Sequence, residues 1–416
     1  MTETQKGVLT LIKSAINEES YPLPEGFSIN EAYDFIIKHR VMMPAYDGAV
    51  RCGISKNEPA MQKLFKIYVN GMMKSEKQLE AVNKIYAAFD ENKIDYLPLK
   101  GCNMKYLYPK PELRAMGDAD ILIKEEQIPF TESVLEKLGY KEVDDMDHHS
   151  AWHSDSLHLE IHRRPFSIAN TEFFEYFGDG WKFGENAGNH RYKFSVETEF
   201  LHLLTHFAVH CRTGGIGIRH VADFYVYKKA VPNLDKNYVL QELEKLNLKK
   251  LYWNLEKLLE AWFENGEMDE GTKALSDFIL SGGDWGSYSN AFLSMEARSK
   301  REETEDYSKI KSLLKIIFQP LSLMKVKYTK LQKYPVLLPF YWVKRWLEVL
   351  FFRRRNIKRK ADMLKNYDSE KIREYKKCLT KRELIVAINK GKPHAFCMRL
   401  FFCSFSENKP PTESVE

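Results

Sequence analysis

Residues 114–123 read RAMGDADILI, and this stretch restricts the possible folds more than any other. Side chains of a strand alternate between its two faces, so Asp118, Asp120 and Leu122 share one face while Ala119, Ile121 and Ile123 share the other. The second face is built for a core. The first opens with two carboxylates roughly 7 Å apart, and two such charges repel unless a metal ion or a basic group compensates them. The segment is therefore either the edge of a cation site or an ion-paired start of a strand, and it requires a sheet with an apolar layer behind it.

The surrounding periodicity supplies that layer. Residues 1–93 carry apolar positions at three- and four-residue spacing, most clearly in MQKLFKIYVNGMMKSEKQLEAVNKIYAAFDENKI, and read as helical. The period then changes. DYLPLK reads as a buried strand closed by Gly101, CNMKYLY as a short helix, and PKPELRAMG as a turn-rich approach to Asp118. A helix is expected over 125–138, ending at Gly139, then a strand near Tyr140 to Val143 and a hairpin in SAWHSDSLHLEIHRRP. From residue 196 helical periodicity returns. The expected fold class is α+β: a small mixed sheet flanked by helices, followed by a helical C-terminal region. At 416 residues the chain exceeds what one core usually supports. The expected divisions are a helical segment 1–93, a sheet-containing core 94–195, a helical region 196–320, a basic aromatic helical region 321–392 and a flexible tail 393–416.

Composition excludes several classes. Hydrophobic residues at 44% and charged residues at 29% are globular values. Six cysteines are scattered without a C-x-x-C pair, and the N-terminus lacks the features of a signal peptide, so a cytoplasmic protein with reduced thiols is expected. The net charge of +5 conceals an asymmetry, because residues 321–392 hold 21 Lys/Arg against six Asp/Glu. Within that region, Lys344, Arg345 and Glu348 interrupt the apolar run of 334–360, which makes it a poor transmembrane span. A solvated helix packed on the core, a nucleic-acid-facing surface and an interfacial membrane helix all remain open for it.

A third acid is expected from LHLEIH, where alternation puts His158, Glu160 and His162 on one face and Leu157, Leu159 and Ile161 on the other. Asp155 competes with Glu160 but sits in the probable-turn sequence HSDS, where aspartate is favoured for backbone reasons. Oxygen ligands of this kind suit magnesium, which keeps water and substrate phosphates in its remaining positions. His202, His206 and His210 recur every four residues, a spacing compatible with zinc on one helix face, but no matching ligand set lies nearby in sequence and they read as core or cleft residues.

Taken in order, LPLKG, RAMGDADILI and LHLEIH resemble the DNA polymerase β-like nucleotidyltransferase superfamily, in a bacterial, uncharacterised branch with L-K-G, R-x-x-G-D-x-D and E-I-H elements. The resemblance spans roughly residues 80–230. It implies that 94–195 is a nucleotidyltransferase catalytic core, that Asp118 and Asp120 bind two Mg2+ ions, with Mn2+ as a substitute, and that Glu160 activates the acceptor hydroxyl. It also implies that Gly101 begins a helix facing the triphosphate and that Lys100 and Arg114 contact phosphates. Arg219 and Asp223, an R-x-x-x-D turn, would line the nucleotide cleft or form an ordinary i,i+4 pair, with His162 and His206 as further cleft positions. One departure stands out: Cys102 replaces the Ser or Gly common after the glycine, removing a hydroxyl donor. The implied reaction is transfer of a nucleoside monophosphate from an NTP to a hydroxyl of an RNA end, a protein or a small molecule, with release of pyrophosphate. The alternatives are a catalytically inactive nucleotide- or RNA-binding module and a membrane-peripheral scaffold.

Overall fold

The computed structural model describes residues 1–213 and 215–284, separate positions between 317 and 328, and the run 330–352. The greater part of the basic region, 353–392, and the tail 393–416 lie outside the described residues.

The chain begins with three helices, α1 (Glu3–Asn17), α2 (Ile29–Lys38) and α3 (Met42–Arg51). Thr2 and Gln5 close a capping box on α1, each side chain accepting from the other's backbone N–H, which satisfies donors that a helix start otherwise leaves open. Helices α1 and α3 cross very closely at Gly48, where a Cβ would stand 1.9 Å from the Leu11 carbonyl oxygen. Only glycine permits that approach. The 33-residue helix α4 (Pro59–Glu91) follows, with proline in its first turn, where the missing N–H costs nothing.

A five-stranded sheet comes next, in the order β1 (Tyr96–Leu99), β2 (Ala119–Ile123), β5 (His158–His162), β4 (His149–His153), β3 (Lys141–Asp145). Strands β2 and β5 are parallel, and the other neighbours are antiparallel. Between β1 and β2 lies the one-turn helix α5 (Gly101–Met104), and between β2 and β3 lies α6 (Ile128–Lys137). The expected alternation holds. Ala119, Ile121, Ile123, Leu159 and Ile161 form one core with Val82, Ile85 and Phe89 of α4 and Val134 and Leu135 of α6. This is the apolar layer that the sequence of β2 requires.

The opposite face is only partly apolar. Leu97, Leu99 and Leu122 pack with Phe194, which lies in β7 (Tyr192–Phe194), the partner of β6 (Gly184–Asn186). Helix α7 (Thr171–Phe177) precedes this hairpin, and α8 (Val196–Thr213) follows it. Helices α9 (Ile218–Ala230), α10 (Lys236–Lys245), α11 (Lys249–Phe263) and α12 (Glu270–Gly282) complete the larger core. That core joins Val8, Leu11 and Ile12 of α1 to Phe207, Val221, Leu255 and Phe263, so α1–α3 pack on α8–α12. Among the described residues no helix is long and apolar enough to cross a membrane.

Candidate active site

The register of the sheet brings the acids together. Asp120 is the direct partner of Glu160 across the parallel β2–β5 pair, so both project from one face, and Asp118 stands at the head of β2. His149 of β4 is the direct partner of His162 of β5, which adds an imidazole from a third strand to the same face. Asp155, the competing acid, lies in the bend between β4 and β5.

Electrostatics separates the two aspartates. Burial, together with the neighbouring charges of Asp120 and Glu160, pushes Asp118 up to about 7. Burial also works against ionised Asp120, but the Lys100 ammonium and the His162 imidazole overcome it and hold Asp120 at about 2. The contacts are Lys100 Nζ to Asp120 Oδ1 at 3.4 Å and His162 Nε2 donating to the same oxygen at 2.9 Å. In turn, burial disfavours charge on His162, and its bonds to Asp120 and Glu160 raise it above the usual imidazole range. His162 Nδ1 is buried with no hydrogen-bond partner among the described residues.

Lys100 occupies a strained backbone position. Its φ is +41°, uncommon for a residue with a side chain and typical of functional turns. It precedes Gly101, the first residue of α5, where an added Cβ would come within 3.2 Å of Arg114 Nη1. The approach to β2 thus presses directly on the start of α5. Cys102 is buried and its thiol is pushed up to about 12, first by burial and then by Asp120.

Arg114, expected at a phosphate, is buried and engages Asp223 through two parallel hydrogen bonds of 2.8 and 2.9 Å. Tyr108 also donates to Asp223, at 2.8 Å. Arg219 lies one helical turn from Asp223, yet its Nε pairs with Asp284 at 3.2 Å and its Nη1 donates to the Ala115 carbonyl. Gln78 and Lys105 donate to the Met116 and Arg114 carbonyls, so the loop leading to Asp118 is held from α4, α5's continuation and α9 at once. Burial lowers Lys105 to about 8. These bonds span up to 115 residues of sequence and fix the loop before any ligand arrives.

The histidines of α8 divide. His202 is enclosed by Phe166, Phe177 and Phe194, and burial followed by Lys100 drives it well below the ordinary imidazole range. His206 stacks edge-on with His210 at 4.3 Å, with His210 in turn 5.4 Å from His220. His206 is also held well below the usual range, by burial and then Lys100. They form a file of imidazoles leading from Lys100.

Sequence reasoning passed over His148 and His149. The segment SAWHSDSLHLEIHRRP starts the expected hairpin at Ser150, one residue later than the strand His149–His153, although continuing the alternation of His153 and Ala151 backwards reaches His149. His149 Nε2 lies 3.6 Å from Glu160 Oε1, and His162 Nε2 lies 3.4 Å from Glu160 Oε2. Ligand atoms of these three residues lie within 4.8 Å of one another.

No curated protein matches this chain. A solved structure, the solution structure of the antibiotic-resistance factor ANT(2'')-Ia, aligns at 15% identity over 44% of this chain and 96% of its own, with a TM-score of 0.30. The family model described as "Uncharacterised nucleotidyltransferase" matches residues 25–264, an interval that contains the whole sheet, the acids and the loop that carries them. The chain belongs to this uncharacterised nucleotidyltransferase family.

Proposed function

We propose that the protein transfers a nucleoside monophosphate from an NTP to a hydroxyl acceptor, with Asp118, Asp120 and Glu160 as the metal-binding acids. The observation that carries this reading is the cross-strand pairing of Asp120 with Glu160 beside an Asp118 whose carboxyl is pushed up by both. Three clustered carboxylates compensated by Lys100 and His162 are a hard oxygen donor set, and an Asp118 held near neutrality has charge to give once a cation approaches. The residues therefore fit Mg2+ or Mn2+. When bound there, such an ion offsets the negative charge of the triphosphate and of the attacking oxygen.

The remaining roles belong to side chains. Lys100 stands beside Asp120 and, on nucleotide binding, turns its ammonium to phosphate oxygens. Gly101 leaves room for the backbone at that wall. Glu160 orients the acceptor hydroxyl and receives its proton. Arg114 and Asp223 position the loop by pairing with each other, and Arg219 holds the same loop at Ala115. His206 borders the wall behind Lys100. The free thiols of Cys52, Cys102 and Cys211 suit a cytoplasmic setting.

The test is incubation of the full chain with each NTP labelled at the α-phosphate, with Mg2+, and with RNA, protein and small-molecule fractions of a cell extract. Label should move to one fraction with the native chain and to none with Asp120→Asn. Equal transfer by both chains, or none by the native chain with any NTP, would contradict the reading.

A further inference from the structure

The two imidazoles facing Glu160 do not belong to a magnesium site. Magnesium favours carboxylate, carbonyl and water oxygens, whereas imidazole nitrogen suits zinc, iron, nickel and copper. We propose that His149, Glu160 and His162 form a site for a divalent transition ion of the zinc class, adjoining the oxygen site and sharing Glu160 with it.

Geometry is the first argument. Ligands around a tetrahedral ion at about 2.1 Å stand roughly 3.4 Å apart. The two imidazole-to-carboxylate distances are 3.6 and 3.4 Å, and all three ligand atoms lie within 4.8 Å of one another. The backbone sets this spacing, because His149 and His162 are register partners and Glu160 lies two residues before His162 on the same face. Two imidazoles and one carboxylate leave a fourth position for water or substrate.

The second argument is the hydrogen-bond chain behind His149. Asp147 Oδ1 lies 2.9 Å from His148 Nδ1, and His148 Nε2 lies 3.1 Å from His149 Nδ1. Asp147 is itself fixed by Ser167 Oγ and the Ile168 N–H. A carboxylate accepts, so His148 donates from Nδ1, and its Nε2 shares a hydrogen bond with Nδ1 of His149. This chain of hydrogen bonds fixes the His149 ring so that Nε2 is the nitrogen turned toward Glu160. Nε2 and the carboxylate oxygen stand 3.6 Å apart, close to the separation of two ligands on one tetrahedral ion. Metal-binding histidines characteristically have their second ring nitrogen held by a hydrogen-bond partner, as Nδ1 of His149 is here.

The third argument is what the ion displaces. His162 Nε2 donates to Asp120 in this structure. Ligation by that nitrogen releases its proton to solvent and replaces the hydrogen bond, which leaves Asp120 to Lys100 and to the oxygen site, so filling the nitrogen site prepares the other.

The experiment uses the full chain stripped with a chelator and dialysed against Zn2+ in excess Mg2+, with metal content measured by mass spectrometry. About one zinc per chain should be retained. His149→Ala and Glu160→Gln should abolish it, and His148→Ala should weaken affinity by about 10–100-fold. His210→Ala should retain zinc. Zinc displaced by the magnesium, or lost with His210→Ala and kept with His149→Ala, would overturn the proposal. Should the ligand variants fail to fold, Co2+ added to the native chain should give the strong visible absorption of a low-coordinate nitrogen-containing site, and its absence would overturn the proposal equally. Neither readout uses a nucleotide, so zinc retention without label transfer refutes only the proposed activity, and transfer without zinc retention refutes only this site.

Discussion

Asp118 and Asp120 are two residues apart, yet one is pushed up to about 7 and the other held at about 2. The difference lies in their neighbours, since Lys100 and His162 both contact Asp120 while Asp118 faces the charges of Asp120 and Glu160. The folded protein therefore keeps a proton on Asp118 that the unfolded chain loses near pH 4. Stability from this group is fully present below pH 4 and falls as pH rises through 7. In metal-free buffer, Asp118→Asn should equal the native chain in urea unfolding at pH 4 and exceed it by ~1–3 kcal/mol at pH 8. A variant less stable than the native chain at pH 8 would mean that Asp118 serves packing. All three acids were legible in the sequence because a period of two needs only adjacent residues. His149 was not, since its role depends on hairpin register with His162, and the bond of Asp147 to His148 becomes informative only once that register is known.

At the scale of elements, the alternation in β2 and β5 and the helical spacing of α4 correctly indicated a sheet with one apolar face. The partnership of Arg114 with Asp223 left no such trace. Arg114 reads as a phosphate contact because it precedes the acid-bearing strand, and Asp223 reads as a cleft residue through the R-x-x-x-D turn it forms with Arg219, but the fold brings the loop before β2 against α9 and Arg114 and Asp223 satisfy each other. Breaking a buried pair leaves one charge uncompensated, at about 3–5 kcal/mol, whereas replacing both members with apolar residues is often far cheaper. Asp223→Asn should therefore lower the urea midpoint strongly, and Arg114→Met with Asp223→Leu should restore much of the loss. A single variant of native stability would show that the pair contributes little to holding the loop. Lys105, Gln78 and Arg219 support the same loop, so the double variant should keep α9 folded.

In the whole molecule, α1–α3 share a core with α8–α12, so the ends of the matched region meet around the sheet. The sequence pattern showed helices at both ends but gave no sign that they pack together, because helical periodicity reports which face is apolar and not which partner covers it. Within the N-terminal set, α3 meets α1 very closely at Gly48. Gly48→Ala should force α1 from α3 and cost at least ~1–3 kcal/mol in thermal or urea unfolding, and an unchanged midpoint would show that the helices separate freely. The union matters for function because it closes the helical layer that carries His202 and Asp223 over the acid-bearing face of the sheet. The most direct test of that face is a crystal structure of the full chain with Mn2+ and a non-hydrolysable NTP analogue, with manganese located by its anomalous signal. The expected result is manganese at about 2.2 Å from oxygens of Asp118, Asp120 and Glu160, with the triphosphate against Lys100 and Gly101. Nucleotide bound elsewhere, with Lys100 and His162 still paired to Asp120, would contradict the account.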